Sequence, residues 1–271
     1  MNILVTLNKN YLPYLISMLK SLVDNNNDYF DIYIFSNDIN YKDIEMYHIS
    51  NKLKYFIIKI PQEEFKDAPI SKRYPKEMYY RILASFYLPS SLDRILYLDP
   101  DIIVKGNISK LYHLNFKNNY FAGATNIKNF LKRVNQIKNG TSKDAEYINT
   151  GVLLMNLDAL RKYQNKEEVF NFINQKKYLL TLPDQDVIQG LYGEKIILLD
   201  RYIYNLSDRA ITLHNLTCID EKDKIDLKWV KKNTKIIHYI GKNKPWKENY
   251  KGILNVYYDK YYEKTNKTRL F

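Results

Sequence analysis

Two aspartates flank a proline at the end of a short apolar run. The run is Arg94–Leu98, and Asp99-Pro100-Asp101 follows it at once. In extended backbone, residues i and i+2 face the same way. Two carboxylates on one face at a strand's carboxyl end can share a hard cation such as Mn²⁺ or Mg²⁺. Without a cation they would repel each other. A second stretch offers what such a site still lacks. His238 ends the strand-like run 235–238, and Gly241 and Lys244 lie shortly after it. A neutral imidazole can ligate the metal, a lysine can meet phosphate, and a glycine lets backbone approach a ligand closely. Asp99, Asp101, His238 and Lys244 together suit a metal-bound diphosphate.

The elements that must position these residues alternate from the start of the chain. Residues 3–7 read as a strand, and 11–23 as a helix with apolar residues at the helical period. Phe30–Phe35 is a second strand, 39–50 a helix, 53–60 a third strand ended by Pro61, and Arg94–Leu98 a fourth. Between the last two, Pro75 stands near the start of a helix running to residue 88, where its missing N–H costs nothing. This order predicts an α/β fold with a mainly parallel, twisted sheet covered by helices. Such sheets bind ligands beyond the carboxyl ends of their strands. Further along, 120–125, 151–156 and 196–199 read as strands, and 166–177 and 184–191 as helices. One domain over 1–247 and a basic, aromatic-rich tail over 248–271 is the simplest division.

Composition narrows the function classes. The chain has 271 residues, 45% of them hydrophobic and 14% aromatic, which excludes a disordered or collagen-like chain. Its longest apolar runs fall far short of the roughly 20 residues that a membrane-spanning helix needs. The N-terminus lacks the basic and small-residue features of a signal peptide. The single cysteine, Cys218, fits a reducing compartment and a cytoplasmic protein. The formal charge of +12 attracts phosphates of some kind. Residues 241–271 hold a net +5 together with Trp246, five tyrosines, Leu270 and Phe271. Such a tail suggests peripheral contact with an anionic membrane at the inner leaflet. The alternative is a helix whose tyrosines pack on the domain.

Four segments occur in a telling order: 97–104 around Asp99 and Asp101, Asn149–Asn156, 182–186 (Leu-Pro-Asp-Gln-Asp), and 238–246. Together they resemble the glycosyltransferase family 8 pattern, over roughly residues 2–247. The resemblance implies a GT-A fold and a retaining hexosyltransferase that uses Mn²⁺, or Mg²⁺, and UDP-glucose or UDP-galactose. It implies a glycan or glycoconjugate as acceptor, held by the variable segments 130–146 and 206–228. Matched residue by residue, Asp99 and Asp101 are the metal pair and His238 the third ligand. Lys244 and Gly241 belong to a loop closing over the diphosphate. Arg81, Asn149 and Gly151 lie at the donor sugar, and Asp184 and Gln185 form the acid–amide pair there, with Asp186 structural. Asn8, Asn10 and Tyr11 match the nucleobase loop. Bacterial relatives usually carry an acid where this chain has Asn8, but an amide can also read uracil, since it both donates and accepts.

The resemblance also implies a charge-driven mechanism. Negative charge grows on the leaving diphosphate, and a cation and Lys244 would stabilise it. Double displacement would need a nucleophile at Gln185, and an amide is a weak one, which favours same-face attack by the acceptor hydroxyl. Two other readings compete: a nucleic-acid-binding protein, prompted by the charge and 26 tyrosines, and a catalytically silent sugar-binding protein. The first gives the Asp-Pro-Asp and His238 segments no role, so no nucleic-acid partner is expected.

Overall fold

A computed structural model describes residues 1–71, 75–127 and 129–267. Seven strands form the central sheet in the order β3-β2-β1-β4-β7-β6-β8. They are β1 (Asn2–Thr6), β2 (Phe30–Phe35), β3 (Leu53–Ile58), β4 (Arg94–Leu98), β6 (Phe121–Ala124), β7 (Asn149–Asn156) and β8 (Ile196–Leu198). A second, two-stranded sheet pairs β5 (Ile102–Val104) with β9 (Ile236–His238). In the large sheet β3, β2, β1 and β4 are mutually parallel, while β7 is antiparallel to both of its neighbours, β4 and β6. The sheet is therefore mixed but mostly parallel, as the alternating pattern predicts.

Alternation along the strands divides the core. Ile3, Val5, Ile32, Ile34, Leu96 and Leu98 pack on one face with Leu15, Met18 and Leu19 of the helix Leu12–Asp24. Leu4, Tyr33, Phe35, Ile95 and Tyr97 pack on the other with Leu83, Ala84, Val187 and Ile188. A sheet covered on both faces needs such near-continuous apolar strands.

Three segments differ from expectation. The helix predicted over 39–50 is only Tyr41–Glu45. Asn40 starts it with a capping box to Asp43, and His48 ends the segment in the left-handed region, at φ 42°. The helix predicted to residue 88 is broken into Glu77–Tyr80, a tighter turn Arg81–Leu83, and Ala84–Tyr87. Segment 130–146, read as a variable loop, begins with a helix, Asn129–Asn139.

The chain after Lys244 returns to the body of the protein. Leu254, Tyr258 and Tyr261 are buried with Ile103, Leu206, Ile237 and Tyr239. They belong to the segment 253–267, whose helix is Asn255–Lys267. Leu270 and Phe271 lie outside the described residues. Among the described residues no helix is long and apolar enough to cross a membrane.

Candidate active site

The chain order places the site. β1 leads to β2 on one side, and β4 lies on its other side, so the strand order reverses between β1 and β4. A crevice opens there at the carboxyl ends of an open sheet. Thr6 and Leu7 leave β1 into it, and Asp99 leaves β4 into it. Because β7 runs antiparallel to β4, its first residues, Asn149 and Thr150, sit beside Asp99 rather than at the far end. The cleft measures about 610 Å³.

The small sheet supplies the histidine. β9 pairs antiparallel with β5, and His238 is in register with Ile102, next to Asp101. His238 Nε2 lies 3.5 Å from Asp99 Oδ2 and 3.3 Å from Asp101 Oδ1. One ligand atom from each of the three residues falls within 4.8 Å of the others. Nδ1 of the same ring is 2.9 Å from Asn205 Oδ1. An amide oxygen only accepts, so Nδ1 carries a proton and Nε2 is the nitrogen that faces the aspartates, free to offer a cation its lone pair when the ring is neutral. The Asn205 amide is itself set, because its Nδ2 donates to Asn149 Oδ1 at 3.0 Å. Asn149 Oδ1 also accepts from the Gly151 N–H at 3.3 Å.

This donor set of two carboxylates and one imidazole nitrogen fits a divalent cation, and the Asn205 amide behind the ring fixes its orientation as metal-ligating histidines require. Gly151 shows how closely the site is built. A Cβ there would lie 2.1 Å from His238 Cε1 and 2.5 Å from Asp99 Oδ2. Burial penalises charge on Asp99, but Arg81, His238 and Tyr97 outweigh it and hold the carboxyl well below its ordinary range. At Asp101 burial is likewise outweighed, here by Lys244 and His238, and its pKa is lowered. Burial opposes charge on His238, yet Asp101 and Asp99 prevail and raise its pKa.

Arg81 links this cluster to the next. It is buried, and its Nη1 reaches Asp99 Oδ1 at 3.1 Å, Asp184 Oδ2 at 3.4 Å and the Thr150 carbonyl at 3.1 Å. Its guanidinium lies 4.0 Å over the Tyr97 ring. Burial alone would favour its neutral form, but the aspartates around it keep it charged. Tyr97 donates to Asp99 Oδ1 at 2.6 Å. Asp184, in the first turn of the helix Pro183–Tyr192, accepts from Thr150 Oγ1 at 2.5 Å. Burial pushes the Asp184 carboxyl up, against the pull of Arg81. Gln185 follows it and lines the cleft. Asp186 turns away and is fully buried. Its Oδ2 accepts from the Thr181 and Leu182 N–H groups, and its Oδ1 meets Lys138 Nζ at 2.8 Å. It fastens the start of the helix rather than lining the cleft.

The loop after β9 closes the cleft with positive charge. Lys242, Lys244 and Lys247 line it. Lys244 Nζ forms an ion pair with Asp101 Oδ2 and donates to the Tyr239 carbonyl at 2.7 Å. Gly241 turns the loop at φ 82°, a conformation that favours glycine. Trp246 anchors it by stacking on Tyr14, with ring centroids 3.7 Å apart.

Of the residues singled out in the sequence, Asn8, Tyr11, Arg81, Asp99, Asp101, Asn149, Asp184, Gln185, His238, Gly241 and Lys244 all line one cleft. Gly151 lies directly beneath His238 and Asp99. Asn10 does not line it, and its backbone N–H caps back onto Asn8 Oδ1 at 3.2 Å. Sequence reasoning missed Asn205, Thr150 and the role of Tyr97. Only Tyr97 carried a signal, by preceding Asp99 at i−2.

Comparison with known proteins agrees with this geometry. The model for glycosyl transferase family 8 matches residues 2–250. This chain belongs to glycosyl transferase family 8. The family 8 chain is 27% identical to lipopolysaccharide 1,2-glucosyltransferase of Escherichia coli K12 over 250 residues, covering 91% of this chain and 72% of that one. It is 26% identical to general stress protein A of Bacillus subtilis, covering 99% and 94%. Among solved structures it resembles the galactosyltransferase LgtC in complex with donor and acceptor sugar analogs. The TM-score is 0.79 at 20% identity, covering 98% of this chain and 96% of that one. The fold is therefore GT-A, and the protein is a glycosyltransferase.

Proposed function

We propose that this family 8 enzyme transfers glucose or galactose from a UDP-sugar to a glycan or glycoconjugate, with retention at the anomeric carbon and with Mn²⁺, or Mg²⁺, as its cation. The observation that carries the reading is the Asp99, Asp101 and His238 cluster with Lys244 set against it at the sheet's switch point. The names of two relatives support a hexosyl donor: the E. coli 1,2-glucosyltransferase, and a lipopolysaccharide 1,3-galactosyltransferase of Salmonella typhimurium, 26% identical over 189 residues. The coenzyme-like part of the donor would meet Asn8 and Tyr11, with Tyr11 against the base.

Asp99, Asp101 and His238 would hold the cation, which when bound supplies Lewis-acid neutralisation of the diphosphate. Lys244 meets the charge that grows on the leaving oxygen. Arg81 holds Asp99 ionised and stands between it and Asp184. Asp184 and Asn149 orient sugar hydroxyls. Gln185 lies on the sugar's side of the cleft and contributes dipole rather than a bond, so the acceptor hydroxyl attacks on the face the diphosphate leaves and passes its proton to it. A lipopolysaccharide-type acceptor, held at a membrane the protein touches peripherally, would suit the basic surface.

UDP release from a panel of UDP-sugars, with and without Mn²⁺, tests the reading. Release from UDP-glucose or UDP-galactose that EDTA abolishes supports it. Release that survives EDTA, or comes only from other nucleotides, rejects it.

A further inference from the structure

The helix Asn129–Asn139 is inside out. Gln136 and Asn139 are buried, and polar groups hold this face down. Gln136 Nε2 donates to the carbonyls of Lys143 and Ala145 at 2.9 and 2.8 Å. Asn139 Nδ2 donates to Gln189 Oε1 at 2.7 Å. Lys132 pairs with Glu146 at 2.7 Å, and Lys138 with Asp186 at 2.8 Å. The opposite face carries Phe130, Val134 and Ile137, at i, i+4 and i+7, with Leu131 beside them. Phe130 is 77% exposed, Ile137 73%, and Leu131 and Val134 45% each. The turn after Lys176, whose Nζ reaches the Lys138 carbonyl at 3.2 Å, adds the exposed Tyr178 and Leu179. Folding normally buries such residues and leaves glutamine and lysine outside. A contiguous exposed apolar patch of this kind marks a docking surface.

Charge decides what docks. Exposed Arg133 lies on the helix itself and exposed Lys177 beside Tyr178, and no acid occurs from residue 129 to 143. A second copy seated face to face would bring the like-charged Arg133 and Lys177 of both copies together. An interfacial helix with apolar residues on one side and cations at its rim fits anionic lipid. We propose that the outer face of Asn129–Asn139 docks on an anionic bilayer, with Phe130, Val134 and Ile137 entering the headgroup region. The tail is the weaker candidate, since its Leu254, Tyr258 and Tyr261 face the core. The inner face of the docking helix is tied to the helix Pro183–Tyr192, which carries Asp184 and Gln185. A lipid-held acceptor would thus arrive beside the sugar end of the cleft. The docking itself is independent of the donor sugar proposed above.

The test is flotation of the full chain with equimolar phosphatidylglycerol–phosphatidylcholine vesicles and with phosphatidylcholine alone. The wild type should float with the anionic vesicles only, and high salt should release it. Phe130→Ser with Ile137→Ser should weaken binding at least about tenfold, with the melting temperature unchanged. Tryptophan in Ile137→Trp should be quenched by brominated lipid. Four results would overturn the proposal: no flotation of the wild type, equal flotation of the double variant, no quenching of the bound Ile137→Trp protein, or a wild-type dimer that the double variant loses.

Discussion

His238 Nδ1 donates to Asn205 Oδ1 at 2.9 Å, and both side chains are buried. That one bond decides which nitrogen of His238 faces Asp99 and Asp101. Replacing Asn205 by Leu removes the acceptor and leaves a buried N–H without its partner. The Mn²⁺ dissociation constant, read by titration calorimetry, should rise about 10- to 100-fold, the usual cost of losing an outer-shell partner. Activity should recover in part at high Mn²⁺. Unchanged Mn²⁺ affinity would show that Asn205 does not position the ring.

Asp99 and Asp101 should differ in stability though both abolish transfer as Asn variants. Asp99 also balances buried Arg81, whereas the cationic partner of Asp101 is Lys244 on the closing loop. Leaving a buried arginine short of charge costs several kcal/mol, roughly 3–5 when the pair is fully broken. Asp99→Asn should therefore melt clearly below Asp101→Asn. Equal melting temperatures would mean that Asp184 alone satisfies Arg81.

Much of this was legible in the sequence. The strands up to β4 stood out as apolar runs with turns between them, and Asp99-Pro100-Asp101 and His238 stood out as ligands at strand ends. Asn205 did not. It sits 33 residues before His238 with nothing local to mark it, and backbone pairing of Leu206 with Ile236 and His238 brings the two together. The reversed direction of β7 was equally hidden, because a fully buried strand reads the same either way. Residues 130–146 concealed a helix whose apolar spacing points outward, so periodicity would have assigned its inner face wrongly.

Lys244 lies against Asp101 and donates to the Tyr239 carbonyl. If it stabilises the leaving diphosphate, its worth is greatest when that charge is fully formed. Lys244→Ala should lower kcat on the order of 10²-fold, with a smaller change in KM for the UDP-sugar. A raised KM at constant kcat would assign it to binding alone.

The end of the chain should matter for folding. Leu254, Tyr258 and Tyr261 fill a core with Ile103, Leu206 and Tyr239, and the Ile253 and Leu254 N–H groups donate to Asp208 Oδ1 at 2.7 and 3.2 Å. Tyr258→Ala should cost about 3–5 kcal/mol, read as a shift in the urea midpoint. Truncation after Tyr250 should destabilise at least as much. A truncated chain that melts like the full one would show that this core is dispensable.

Gln185 follows Asp184 on the same helical turn and lines the cleft. Under same-face attack its amide forms no bond to the sugar. Gln185→Ala should then keep measurable transfer, and the product should keep the donor's anomeric configuration by NMR. Under double displacement the variant would be essentially dead, and incubating wild type with donor alone would leave a hexose on Gln185, visible as an added mass on its peptide. The two mechanisms also part on Gln185→Glu. A carboxylate is a far better nucleophile than a neutral amide, so double displacement predicts faster turnover. Same-face attack predicts slower turnover, because a new negative charge beside Asp184 repels the incoming diphosphate and disturbs the balance around Arg81. A faster Glu variant, or the adduct, would reject same-face attack.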